Sequence, residues 1–184
     1  TIVSGAAIVR MLPEIASRFV DCHIFRRIPG GAEWLVLKRA PHILLGGTWQ
    51  MVSGHIEPGE KAYVAAVREL LEETGLVPLH FYQASYVNRF YLAATDQIIL
   101  TPVFAAEVAA DAVVVLSDEH TAFEWVDLEE ACRRYPWPGQ RESIRIIHEQ
   151  LIANPPRPES CLDGLLRGSV VGTSRATGPG SASH

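Results

Sequence analysis

The sequence predicts an α/β fold in which a mixed central sheet is sandwiched between helices. Three observations carry that expectation: strand-like and helix-like hydrophobic patterns alternate, a long amphipathic helix lies between two hairpins, and short helices close the domain. Phe19 to Arg27 reads as a strand, followed by a Pro29-Gly30-Gly31 turn and by Glu33 to Arg39 as its hairpin partner. Trp49 to Ser53 is short and extended. Glu60 to Thr74 has helical periodicity and ends at Gly75, which tolerates the left-handed conformation common at helix ends. Phe81 to Leu92 and Gln97 to Val108 are β-rich runs joined across Ala93 to Asp96, and Phe123 to Val126 supplies a last strand. Asp127 stands at an N-cap position with Glu130 three residues on, so Leu128 to Arg134 is expected as a short helix. After Pro136 and Pro138, Gln140 to Ala153 carries Ile144, Ile147 and Leu151 as an apolar stripe.

With 184 residues, 48% of them apolar, the chain suits one domain of ordinary size and leaves no room for two large ones. Residues 17–153 are assigned to that domain and residues 1–16 to an N-terminal extension, with Met11 as an alternative start. Residues 154–184, dense in Pro, Gly, Ser and Thr, are expected as a flexible tail, a docked short helix near Leu165 being the alternative. The N-terminus lacks a basic start, and Arg10, Pro13, Glu14 and Arg18 interrupt its apolar residues, so neither a signal peptide nor a membrane span is expected. Twenty-one acidic against sixteen basic residues give a formal charge of −5, which leaves no basic footprint for nucleic acid. An anionic ligand therefore needs a local device such as a cation. Cys22, Cys132 and Cys161 are odd in number and widely spaced, which argues against a disulfide framework or a thiolate metal site and for a reducing cytoplasm. The pattern sets no oligomeric state.

Projected at helical spacing, Glu60 to Thr74 puts Tyr63, Val64, Val67, Leu70 and Leu71 on one broad face and Glu69, Glu72 and Glu73 on the other. Ala62, Ala65 and Ala66 flank the acids, and their small side chains are expected to leave room for a ligand. The three acids either form a solvated face or hold a cation. Their position favours the cation. They lie in the last turn, where the helix dipole makes each acid cost ~0.3 to 1 kcal/mol, and like-charge pairs at i,i+3 and i,i+4 add ~0.2 to 0.5 kcal/mol each. Arg68 balances only part of that charge, whereas a hard dication, Mg²⁺ or Mn²⁺, suits an all-oxygen donor set. Pro58-Gly59 signals a turn into the helix, and Gly54 suits either a turn or a close approach of backbone to ligand.

Gly54, Glu60 and the run Arg68-Glu69-Leu70-Leu71-Glu72-Glu73-Thr74-Gly75-Leu76 match the Nudix box, GX5EX7REUXEEXGU, at every fixed position. The chain thus resembles the Nudix hydrolase superfamily over about residues 17–153, and its order of elements resembles that family's α/β/α sandwich. The resemblance implies hydrolysis of a nucleoside diphosphate linked to another moiety. It places Glu69, Glu72 and Glu73 as ligands of a catalytic Mg²⁺, aided by the Gly54 carbonyl, and Glu60 with Arg68 as an ion pair bracing the loop and helix. Glu69, or an acid outside the box, would take the proton of the attacking water.

Outside the box, Trp49-Gln50-Met51-Val52-Ser53-Gly54 with Glu57-Pro58-Gly59-Glu60 resembles the dihydroneopterin triphosphate pyrophosphatase and dATP pyrophosphohydrolase branch. Glu119-His120 ahead of Glu124-Trp125 resembles the same branch, which implies Glu119 as a further ligand or base; an ordinary acidic loop beside Asp118 is the alternative. Arg39 stands where the family places a phosphate-contacting arginine. Ser53 is a candidate hydroxyl donor to the substrate, and Trp49 either stacks on a base or belongs to the core. Trp137 and Arg141 resemble a branch element or simply pack a helix start. His23, His42, His55, His80 and His148 share no ligand spacing and receive no role. The leading expectation is an Mg²⁺-dependent pyrophosphohydrolase cleaving a nucleoside or pterin triphosphate to the monophosphate and pyrophosphate. The alternatives are a Nudix hydrolase of dinucleoside polyphosphates, nucleotide sugars or ADP-ribose, and a non-catalytic nucleotide-sensing module.

Overall fold

Alternate residues of a strand point to opposite sides of its sheet, and in Phe19–Ile28 every residue from Val20 to Phe25 is buried, so both sides are covered. Val20, Cys22 and Ile24 join one buried cluster with Ala65, Ala66 and Leu70, while Phe25 joins a second with Trp34, Ile144 and Ile147. The computed structural model describes residues 12–172. Along the chain these form β1 (Glu14–Ala16), β2 (Phe19–Ile28), β3 (Gly31–Arg39), β4 (Trp49–Gln50), β5 (Val52–His55), α1 (Ala62–Thr74), β6 (His80–Leu92), β7 (Gln97–Val108) and β8 (His120–Val126). The helices α2 (Leu128–Arg134), α3 (Pro138–His148) and α4 (Asp163–Gly172) follow.

β2 is the centre of the sheet. It runs parallel to β7 on one side; on the other it pairs antiparallel with β5 through Phe19 to Cys22 and with β3 through Ile24 to Ile28. β7 also pairs with β6 and β1, and β3 with β4 and β8. The sheet is therefore mixed, with α1 on one side and α2 and α3 on the other, as expected.

The piece expected from Trp49 to Ser53 is two strands. β4 pairs with β3, β5 pairs with β2, and the chain changes partner at Met51, whose side chain is buried in the cluster beneath α3. The last long helix ends at His148 and continues as a π-helical turn, Glu149–Ala153. β1 falls within the segment assigned to an extension, yet pairs in parallel with Gln97, Ile98 and Ile99 of β7.

The segment after residue 153, expected as a flexible tail, returns along β6 and ends in α4. Leu162 is buried in the α1-side cluster and its N–H donates to the Phe81 carbonyl at 2.7 Å. The Phe81 N–H in turn donates to Asp163 at 2.8 Å, and His80 Nδ1 lies 2.8 Å from the other Asp163 oxygen. A helix docked near Leu165 was the stated alternative, although Leu165 itself is exposed and Leu162 and Leu166 make the apolar contact. The expectations for Met11 and for residues 173–184 lie outside the described residues.

α1 is turned from the orientation its pattern predicts. Its buried residues are Ala65, Ala66, Leu70, Glu73 and Thr74, whereas Leu71 is 52% exposed. Ala65 and Ala66 do not leave room for a ligand: they are wholly buried, Ala62 partly so, and their small side chains let the helix lie close on Val20, Cys22 and Val52. Close packing on the alanine side buries more than an uneven contact through Leu71 would, and it carries Glu73 inward. Gly75 ends the helix at φ +67°, with its N–H donating to the Leu71 carbonyl at 2.9 Å.

Truncation of a wholly buried leucine removes both transfer energy and packing. Leu70→Ala is expected to lower stability by ~2 to 5 kcal/mol, and Leu71→Ala by less than about 0.5 kcal/mol; denaturant melts of the two variants check this contrast.

Candidate active site

Arg68 organises the acids at the outer side of α1. Its Nε and Nη2 donate to the two oxygens of Glu60 at 3.0 and 2.9 Å, and Nη2 also donates to the His55 carbonyl at 2.8 Å. Nη1 donates to Glu69 at 2.9 Å and to Glu72 at 3.1 Å. Glu60 additionally accepts the Glu57 N–H at 3.0 Å, so the loop before α1 is tied to the helix from both ends. Bonding to Glu60 raises the pKa of Arg68, and bonding to Arg68 lowers that of Glu60. The ion pair expected between Glu60 and Arg68 is thus present.

Glu69 lies against Gly54. A Cβ at residue 54 would fall 1.9 Å from the Glu69 carboxyl carbon, so only glycine admits the acid there. Glu73 is buried, 3% exposed, with Oε2 unpartnered. Burial first, then the charges of Glu69 and Glu119, push its pKa up to about 9, offset only partly by the Ser53 N–H and Arg39. Glu72, whose side chain is 57% exposed, lies outermost.

The loop between β7 and β8 brings Glu119 to this helix end. Val115 N–H donates to the Thr74 carbonyl at 2.8 Å and Ser117 N–H to the Glu73 carbonyl at 3.1 Å, satisfying carbonyls that a helix terminus leaves open. Ala40 N–H then donates to the Glu119 carbonyl at 2.8 Å, and a bulge in the β3 and β8 pairing sets Arg39 opposite His120. Arg39 donates to the Leu44 carbonyl at 2.9 Å and to the Gln50 side chain at 3.1 Å. His120 Nε2 is 3.4 Å from Gln50 and 3.7 Å from Glu73 Oε2. Burial, aided by Arg39, lowers the His120 pKa to about 4, so at neutral pH the imidazole is uncharged and this contact is no ion pair.

Glu69 and Glu73 offer oxygen donors from α1, with Glu119 and Glu72 at the margin. The Gly54 carbonyl, expected beside them, is turned to β2 instead: Ile56 N–H donates to the Arg18 carbonyl, so Val20 and Gly54, two residues on, form the next mutually bonded pair of the ladder. The orphaned, buried Glu73 oxygen and the hard donor set fit a divalent cation such as Mg²⁺ or Mn²⁺. Among the described residues no three acidic, histidine or cysteine side chains converge into a ready metal cluster. Arg68 holds Glu69 and Glu72 in ion pairs.

The other expected substrate residues are spread around this centre. The Trp49 ring is packed by the Arg134 guanidinium at 4.6 Å, with Lys38 at 5.9 Å, and sits half-buried against the α3-side cluster, a core position. Ser53 is half-buried on β5, directly across from Asp21. Trp137 caps α3 and Arg141 donates back to the Tyr135 carbonyl at 2.6 Å, which is helix-start packing. Of the histidines left without a role, His23 is fully buried, 2.8 Å from Ser143. Gln50, His120 and Asp21 carry site structure that the motif reading did not assign. The legible signal for Asp21 was an acid in the otherwise apolar run of β2.

A mixed sheet between helices, with an acid-rich helix held against a glycine loop, defines an oxygen-donor site suited to phosphate chemistry. The NUDIX domain model matches residues 20–150, and the chain belongs to that family. The chain is 44% identical over 117 residues to an octanoyltransferase of Myxococcus xanthus, a match covering 62% of this chain and 32% of that protein. It thus spans about a third of that relative's length. It is 31% identical over 109 residues to the mouse (Mus musculus) bis(5'-nucleosyl)-tetraphosphatase (asymmetrical), covering 58% of this chain and 74% of that one. The structure of the E. coli dihydroneopterin triphosphate pyrophosphohydrolase matches with a TM-score of 0.60 at 20% identity, covering 76% of this chain and 99% of that one, which shows the fold alone. The relatives are diverse, and the pterin and dATP branch does not stand out among them. Among the described residues no helix is long and apolar enough to cross a membrane.

Because the folded-state pKa of Glu73 lies above the ordinary 4.5, the folded metal-free protein keeps a proton that the unfolded chain has released, and stability falls as pH rises towards 9. Asp21, raised to about 6, acts in the same direction but only at lower pH. Melts in chelator from pH 7 to 9 should show decreasing stability, and Glu73→Gln should flatten that decline and stabilise the neutral, metal-free protein.

Proposed function

We propose that the protein is an Mg²⁺-dependent Nudix pyrophosphohydrolase, with Mn²⁺ as an effective substitute, that cleaves a nucleoside or pterin triphosphate to the monophosphate and pyrophosphate. The observation that carries this reading is the buried, unpartnered Glu73 carboxyl beside Glu69, which is seated on Gly54. Burying an acid at the negative end of a helix is costly unless a cation shares the site.

In this reading Glu69 and Glu73 would hold the ion, with Glu72 and Glu119 beside them. When bound, the ion would polarise phosphate oxygens and lower the pKa of the attacking water. Arg68 and Glu60 keep the loop from His55 to Glu60 in place, so Gly54, the seat of Glu69, stays fixed relative to the helix. Arg39, anchored by Leu44 and Gln50, presents a guanidinium to the substrate phosphates. Glu69 or Glu119 accepts the proton of the water. Ser53, expected as a hydroxyl donor to the substrate, instead turns its hydroxyl to Asp21, and Trp49 shapes that side of the cleft through the core packing of its ring.

The approach segment Trp49 to Gly54 supports a triphosphate substrate. A second reading, a dinucleoside polyphosphate, is supported by the 31% identity to the mouse tetraphosphatase.

Incubation with a panel of nucleoside triphosphates, a pterin triphosphate and dinucleoside tetraphosphates in Mg²⁺, with identification of products, separates the two. Release of pyrophosphate from triphosphates is expected; cleavage of dinucleoside tetraphosphates alone would favour the second reading, and turnover of nothing would refute both. Glu73→Gln should lower turnover by about a hundredfold or more, as the loss of one preorganised charged group does, and parent-like activity would contradict the assignment.

A further inference from the structure

Asp21 is 5% exposed on the α3 side of β2, between Val20 and Cys22, which face α1. The flanking apolar residues build the core without it, so packing does not call for an acid here. Its cross-strand partner is Ser53, and Val20 is paired with Gly54. On its other flank Asn88 Nδ2 donates to Asp21 Oδ2 at 3.3 Å. Asn88 is itself confined by the start of α3: a Cβ on Gly139 would fall 2.1 Å from its Oδ1. Ser53 thus has two buried acids at hand. Its hydroxyl serves Asp21, and its backbone N–H faces Glu73 on the opposite side of the sheet. The next residue, Gly54, is the seat of Glu69. A continuous chain of contacts therefore crosses the sheet from α3 through Asn88, Asp21 and Ser53 to the two acids of α1.

We propose that Asp21 is a positioning residue for the cation site: held by Asn88, it grips the Ser53 side chain and so fixes the β5 backbone that presents the Ser53 N–H to Glu73 and seats Glu69 on Gly54. This rests on the reading of Glu69 and Glu73 as ion-holding groups. Burial raises the Asp21 pKa to about 6, and hydrogen bonds from Asn88 and Ser53 only partly offset it, so the acid is kept at a cost to stability. Groups that orient metal ligands from one contact away have large effects on affinity, and among the described strands β5 is paired with β2 alone.

The test is Mn²⁺ binding to the full chain, measured by titration calorimetry and by electron paramagnetic resonance, beside melts in chelator. Asp21→Asn should weaken Mn²⁺ affinity about 10- to 100-fold, with unchanged or higher melting temperature and a KM for nucleotide at saturating Mn²⁺ that shifts much less. Ser53→Ala deletes the same link without altering a buried charge and should weaken Mn²⁺ binding in the same direction, so the proposal stands or falls even if Asp21→Asn does not fold. In the double variant the two losses should not add. Parent-like Mn²⁺ affinity in folded Asp21→Asn or in Ser53→Ala overturns the positioning role alone; a parent chain that binds no Mn²⁺ overturns the ion-site reading beneath it.

Discussion

The approach of α1 to β5 is the constraint on which the remaining geometry depends. Gly54 has no side chain to hold Glu69 away, and Ala65 and Ala66 have too little to hold the helix off the sheet. Three small residues therefore set the separation between a strand end and a helix, and that separation decides which acids point inward. An alanine at 54 would occupy the space of the Glu69 carboxyl, whereas larger residues at 65 or 66 would lift the helix and return Glu73 to solvent.

Close packing concentrates negative charge, and the chain manages it in two ways. Where the acids are accessible, Arg68 gathers them: Glu60, Glu69 and Glu72 share one planar cation whose fork matches carboxylate geometry. Where the helix turns inward, no cation among the described residues reaches Glu73 at bonding distance, and it carries its proton near neutral pH. The arrangement is therefore graded from a solvated acid at Glu72, through a paired one at Glu69, to a desolvated one at Glu73. A dication held here would compete with Arg68 for Glu69 and Glu72 and with a proton for Glu73.

Much of the layered fold was legible because strand and helix periodicities are local properties. The alternation in Phe19 to Arg27, the Asp127 cap with Glu130 and the Gly75 stop each appear within a residue or two of their predicted places. The Glu60 and Arg68 pair was also legible, from motif spacing. What escaped depends on partners distant in sequence. A helical projection weights leucine over alanine, so it favoured Leu71 as buried, whereas the depth of contact with β2 and β5 favoured the alanines. The change of strand partner at Met51 shows in no periodicity. β1 and α4 gain their places from β7 and β6, through pairing and through Asp163, not through patterns of their own. Asp21 was visible only as an acid in an apolar run, and its connection to Ser53 follows from the strand register.

The change of partner at Met51 makes the sheet a fork, with β3 and β4 as one prong and β2 and β5 as the other. Arg39 stands on the first prong and Gly54 on the second, while the residues between Arg39 and Trp49 are clasped at their base by the Arg39 N–H to the Thr48 carbonyl and the Gly47 N–H to the Arg39 carbonyl. Within the span, Ala40 N–H holds the Glu119 carbonyl and the Leu44 carbonyl holds Arg39, so its beginning is tied to the acidic centre while its tip hangs on the clasp. A change of length at that tip would reshape the rim beside the acids and leave their seat in place.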